Sequence, residues 1–194
     1  HTTMEQFKLQ FESDHTDSNP THQLRIKSDY LTANLSGEFQ YKTLPTTIQQ
    51  LLHKYIPSLV TQPLTTKPSN NSLDFYAYFR NLDSITEVLD IGIELPSFPT
   101  VKGYLREQTQ QIGIQAFIPH INTSGANMED LTISLDNQDG QLGLSVFVLN
   151  HLPKDNPTAA KLGDIKANIH LNAQNNILDM RVELGNTDSV RNEG

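Results

Sequence analysis

The side chains able to do acid–base, metal or nucleophilic chemistry are scattered along this chain without the spacing that such chemistry needs. Seven histidines occur, His1, His15, His22, His53, His120, His151 and His170. No two have the spacing of a helical zinc pair and none forms His-x-His on a strand, so no metal site is expected. Asp136-Asn137-Gln138-Asp139-Gly140 faintly resembles a calcium loop but lacks its further carboxylates and closing Glu. Asp-Gly between two alternating runs is better explained as a hairpin turn. Ser36, Ser124 and Ser145 lie in no Gly-x-Ser-x-Gly elbow. Nothing pairs the carboxylates Glu38, Asp90 and Glu94 as an acid and a base. The absence of Cys excludes a disulfide scaffold, a thiolate zinc site and a thiol nucleophile. Three sequons, at Asn34, Asn70 and Asn122, are what a chain rich in Asn, Ser and Thr contains by chance. Phe7, Phe11, Tyr41, Phe75, Phe79 and Phe117 could stack on sugars, but most share the parity of the aliphatic residues, which favours core or groove lining. No enzymatic activity and no cofactor are expected, and the chemistry left is that of an apolar surface.

That surface is built by alternation. Side chains two residues apart point to one face of a strand. Leu31, Leu35 and Phe39 alternate with polar neighbours through Gly37, a mid-strand glycine that suggests a bend or bulge. Phe75 and Phe79 follow in a later run. From Val101 to Leu184 the pattern repeats. Val101 and Leu105 lead to Ile112, Ile114 and Ile118; Leu131, Ile133 and Leu135 lead to Leu142, Leu144 and Val146. Ile165 and Ile169 then pair with Leu178 and Val182 across Gln174-Asn175-Asn176. Earlier, residues 4–12 alternate, Asp14 to Pro20 reads as a polar loop, and Leu24 and Ile26 resume the pattern.

The period changes over Ile48, Leu51, Leu52, Tyr55, Ile56 and Leu59, which predicts an amphipathic helix. Thr46 with Gln49 has capping-box form, Pro45 suits a first turn, and Pro57 should end the helix. Its apolar side must lie on the aliphatic face of the sheet. Ser84 with Glu87 suggests a second, short helix ending near Gly92. Residues 61–72, with Pro63, Pro68, Asn70 and Asn71, form a loop or internal hinge within a single module spanning 1–194.

Composition agrees with a sheet that is apolar on one face. Only 36% of residues are hydrophobic, low for a two-sided core. The net charge of −8 argues against nucleic acid, which calls for a basic stripe, and against an outer surface lying on anionic lipid. No stretch has the length of a membrane-spanning helix. The first residue is His1, and the chain reads as a piece of a longer protein.

The expected fold is mainly β: an antiparallel sheet of about ten strands, curved into an open groove, with one amphipathic and one short helix. Each aliphatic side chain on one face is worth ~1.5–3 kcal/mol if fully buried, so something must cover that face. A second sheet, the helices or a ligand could do so.

Certain residues resemble a known family. Ser28 to Phe39, the following helix Leu44 to Leu59, then Leu73-Asp74-Phe75, Val101-Lys102-Gly103 and Met128 to Asp136 are similar to segments of the TamB/AsmA-like translocation and assembly module family, Bacteroidetes type. The resemblance covers most of the chain. It implies a periplasmic rod of β-strands folded lengthwise into a groove with an aliphatic interior. It also implies an inner-membrane anchor in the full-length protein and an outer-membrane β-barrel assembly partner. The implied role is phospholipid transport between the inner and outer membranes, or outer-membrane biogenesis and protein secretion, with lipid acyl chains as the ligand. The chain departs from the family in lacking its N-terminal anchor and C-terminal domain. Two other readings suit the same pattern. One is a closed β-sandwich for binding or adhesion, with Tyr76, Tyr78 and Phe147 on its outer face. The other is a half-barrel around a helix, like a periplasmic lipoprotein carrier.

Overall fold

The computed structural model describes residues 10–16, 19–58, 60, 69–80, 82, 86, 92–96, 98–123, 127–138, 140–151 and 164–186. The alternating runs are strands: β1 (Gln10–Thr16), β2 (Asn19–Lys27), β3 (Leu31–Glu38), β4 (Ser72–Phe79), β5 (Ile93–Glu94), β6 (Thr100–Arg106), β7 (Gln111–Thr123), β8 (Asn127–Gln138), β9 (Gln141–His151), β10 (Ile165–Gln174) and β11 (Ile177–Asn186). Helix α1 spans Leu44–Tyr55. Every pairing is antiparallel. The order is β1-β2-β3-β4-β6-β7-β8-β9-β10-β11, with the two-residue β5 attached to β7. The protein is therefore mainly β, one open antiparallel sheet. Among the described residues its outer strands are β1 and β11, and the sheet does not close into a barrel.

Local turn chemistry produces this order. Asn175 and Asn176 have φ of 50° and 64°, the left-handed pair that a two-residue hairpin needs between β10 and β11. Gly140, with φ 79°, lies between β8 and β9, where Gln138 pairs with Gln141; Asp139 lies outside the described residues.

Three expectations need correction. Residues 14–20 are not mainly loop, because β1 runs to Thr16 and β2 starts at Asn19. Gly37 marks no bulge, since its register runs unbroken from His22 through Gly37 to Leu73. It is needed instead for close approach: its φ is +141°, and a Cβ there would lie 2.1 Å from the Ser72 carbonyl oxygen. The helix does not start at a Thr46 capping box. It starts one turn's fraction earlier, after Thr43, which makes no side-chain cap hydrogen bond, and with Pro45 in the first turn. Of 81–91, only Leu82 and Thr86 are described, and both are helical; the rest of the expected second helix lies outside the described residues, as do 4–9, Leu59 and 61–68.

Helix α1 buries Thr47, Leu51 and Tyr55 at helical spacing. Leu51 and Tyr55 pack with Phe39, Leu73, Leu105, Ile112, Leu142 and Ala173 to form the core. Hydrogen bonds hold the helix at both ends. At its start, Asn71 Nδ2 donates to Thr43 Oγ1 at 3.1 Å and Thr47 Oγ1 at 2.9 Å. At its end, the Asn176 N–H donates to the Tyr55 carbonyl at 3.3 Å, and Asn176 Oδ1 accepts from Ser58 N and Oγ at 3.0 Å. Asn71 leads into β4 and Asn176 turns β10 into β11. Those strands are five steps apart in the order, ~24 Å if flat, whereas Thr47 to Tyr55 rises only ~12 Å. The sheet curls toward α1.

Candidate functional site

Cross-strand register turns the alternation into continuous rows. One row runs Leu24, Leu35, Phe75, Gly103, Ile114, Leu135, Leu144, Leu171, Met180 from β2 to β11. The next runs Ile26, Ala33, Ala77, Val101, Ala116, Ile133, Val146, Ile169, Val182. Beyond it, Leu31 pairs with Phe79 and Ile118 with Leu131. The rows cross the strands, so an apolar path along them follows the hydrogen-bonding direction of the sheet.

The fold treats these rows unequally. On the α1 side, Leu105, Ile112 and Leu142 are 4–6% exposed, and Phe39 is 4% exposed. These four lie in the core beneath the helix and offer no open surface. Leu35, Phe75, Ile114 and Leu135 are half-buried against that core. Val101, Ile133, Leu144, Val146 and Ile169 are half-buried, as are Leu31, Phe79, Ile118 and Leu131. The described strands all belong to one sheet, so no second sheet among the described residues covers these side chains. Leu178 and Val182 lie on the rim, 62% and 49% exposed. Ile165 sits outside the apolar rows, paired with Asn150 and Asn186. The result is a curved apolar trough walled on one side by α1.

A polar network fixes that wall, and its residues carry no signal in the sequence. Asn71 is 0% exposed although it lies in a stretch of loop composition. Its Oδ1 accepts from the Gln40 N–H at 2.8 Å. Glu107 accepts from Asn71 N at 2.7 Å and from Ser69 N and Oγ at 3.1 and 2.8 Å. Burial pushes the Glu107 carboxyl up. Hydrogen bonds from the Asn71 and Ser69 backbone and from the Ser69 and Thr47 hydroxyls outweigh that and hold it below its ordinary value. On the β8 side, Asn137 Nδ2 donates to Tyr55 Oη at 2.8 Å, and Asn137 Oδ1 accepts from Ile112 N at 2.8 Å. A network satisfied this fully makes the position of α1 specific.

The opposite face is polar and holds the remaining candidates for chemistry. Ser145 Oγ lies 3.0 Å from His170 Nδ1. The pair is flanked in register by Ser134 and Arg181, so no carboxylate among these neighbours orients the imidazole as a base. Away from that face, His120 lies 3.6 Å from Glu129, in register two residues beyond Ile118 and Leu131 at the end of the apolar rows. Tyr76 is 44% exposed, and Tyr78 stacks at 5.5 Å on Phe98. No group of three or more His, Asp or Glu is gathered for a metal among the described residues. Among the described residues, no helix is long and apolar enough to cross a membrane. Compared with family models, curated proteins and solved structures, the chain matches none.

Proposed function

We propose that this chain is a segment of a cell-envelope protein whose open hydrophobic β-trough conducts or shields lipid acyl chains between inner and outer membrane, as in the TamB/AsmA-like proteins it resembles. The observation that carries this reading is the set of in-register aliphatic rows left half-exposed beyond α1. Exposing a lipid tail to water costs ~0.8 kcal/mol per CH₂, and a trough of Leu, Ile and Val removes most of that cost. The rows contain few polar groups that would arrest a tail, so it can slide. In this reading the segment works in the periplasm. The inner-membrane anchor and any outer-membrane β-barrel assembly partner belong to the rest of the protein, and neither a cofactor nor catalysis takes part.

Photoreactive residues at Ile114, Ile133 and Val146 test it. Irradiation in cells is expected to give phospholipid adducts at all three, identified by mass spectrometry. Absence of lipid at every one of them would end the reading. The position of α1 in the hollow of the sheet favours a second reading, a carrier for acylated proteins. Adducts with the mass of an acylated protein, rather than a free phospholipid, would select it.

A further inference from the structure

We infer that the outward face of the sheet, turned away from α1, binds an acidic β-1,4-linked glycan strand laid across β4 to β9 on a row of aromatic rings. By register, Tyr76, Tyr78, Phe117 and Phe147 belong to this face. Phe98 joins them through its 5.5 Å contact with Tyr78. Phe98, Tyr76 and Phe117 are 51, 44 and 36% exposed, so their rings are open to a ligand.

The spacing of the rings selects the linkage. Tyr78, Thr100, Phe117, Thr132, Phe147 and Asn168 are in register across the sheet. A ring thus stands on every second strand, and strands lie ~4.8 Å apart, so the rings repeat at ~9.6 Å. The curl toward α1 fans the outward side chains slightly wider. That interval is close to the two-sugar repeat of an extended β-1,4-linked chain, in which every second pyranose presents the same face. The apolar C–H face of a sugar can stack on each ring. The hydroxyls of Thr100 and Thr132 and the amide of Asn168 stand between or beside the rings as partners for sugar hydroxyls. An extended nucleic-acid strand sets its bases closer together than this.

Charge selects an acidic chain. The protein carries −8 overall, yet this part of its surface is basic. Lys27 pairs with Thr32 at the start of the aromatic row. Lys102 lies two residues from Thr100 along β6, and Lys166 two residues from Asn168 along β10, so bases flank the row on both sides. All three lysines are exposed and form no ion pair among the described residues. Arg80 donates to Thr32 Oγ1 and lies 5.4 Å from the Tyr78 ring, and it too meets no carboxylate among the described residues. The acids near the ends of these rows, Glu12 and Glu183, stand beside Arg25 and Arg181 at 3.5 and 3.9 Å. Carboxylates without a cation collect four residues further along the strands, at Asp136 and Asp179. They repel a polyanion and confine it to the aromatic row. Binding here uses the outward face alone, so lipid adducts at Ile114, Ile133 and Val146, or their absence, leave it untouched.

Calorimetric titration of the full chain with defined hexasaccharides, long enough to cover three rings, tests this. β-1,4-linked hexamannuronate is expected to bind. Cellohexaose, which has the same linkage without charge, should bind several-fold more weakly. Phe117→Ala should weaken hexamannuronate binding roughly tenfold. Lys102→Glu, at an exposed side chain where the fold tolerates it, should weaken binding several-fold, a difference lost in high salt. No binding of hexamannuronate, equal binding of cellohexaose, or binding that neither variant weakens overturns the proposal. Tighter binding of oligothymidylate or of phosphatidylglycerol vesicles also overturns it, by giving this face to nucleic acid or to a membrane.

Discussion

Two parts of one apolar face, four residues apart along each strand, meet different fates. Beneath α1, Leu105, Ile112 and Leu142 are buried and share a core with Leu51 and Tyr55. Two rows away, Val101, Ile133 and Val146 remain half-exposed. Both parts have the same composition and the same alternation. The difference shows that apolar parity decides which way a side chain points, while a separate element decides whether water is excluded.

Stability measurements can break that comparison. Leu105→Ala leaves a cavity in a packed site and is expected to cost ~2–5 kcal/mol. Ile133→Ala, on the open part, is expected to cost about 1 kcal/mol or less. Urea unfolding of the two variants reads the difference as a shift in midpoint at constant slope. Equal losses would mean that the second part is as tightly covered as the first.

The network that seats the helix sharpens the same contrast. Asn71→Ala strands Gln40 N–H and disconnects Thr43, Thr47 and Ser69, and is expected to cost ~1–3 kcal/mol. It should also raise solvent access at Leu105 and Ile112, measured by hydrogen exchange, without changing exchange at Ile133. Protection lost equally at all three would show that α1 does not divide the face.

The smallest effect is that of pH. Glu107 has a folded-state value depressed below 4.5. Its ionised form is thus favoured in the folded chain, and its contribution is fully present above that ordinary value. The contribution fades as pH falls from there through the depressed value. Glu107→Gln should weaken the protein at neutral pH and flatten its loss of stability on acidification. Parallel pH–stability curves for variant and wild type would remove Glu107 from the account.

Much of the sheet was legible because its signals are local. The alternation at 112–118, 131–135 and 142–148 places strands wherever it occurs, and Asn175-Asn176 and Asp139-Gly140 mark hairpins by their left-handed preference. The helix was legible from Ile48 to Tyr55, but its start was not. Thr46 and Gln49 match a capping box, yet long-range hydrogen bonds from Asn71 to Thr43 and Thr47 tie down that first turn. Gly37 was misread for a similar reason: its neighbour in space, Ser72, is far away in sequence. Parity alone does not separate Phe39, Leu105, Ile112 and Leu142 from Ile133 and Val146, because the helix that seals the first four packs on them through tertiary contacts.

By itself the sequence determined most of the strands and the body of α1, which side of those strands is apolar, and that hairpins join most neighbours. These depend on periods of two and 3.6 residues and on the conformations that Asn and Gly allow. Only the tertiary structure decided how far α1 reaches across the sheet and which rows it seals. Those outcomes depend on contacts between residues such as Asn71 and Glu107, or Tyr55 and Asn137, whose meeting no local pattern encodes.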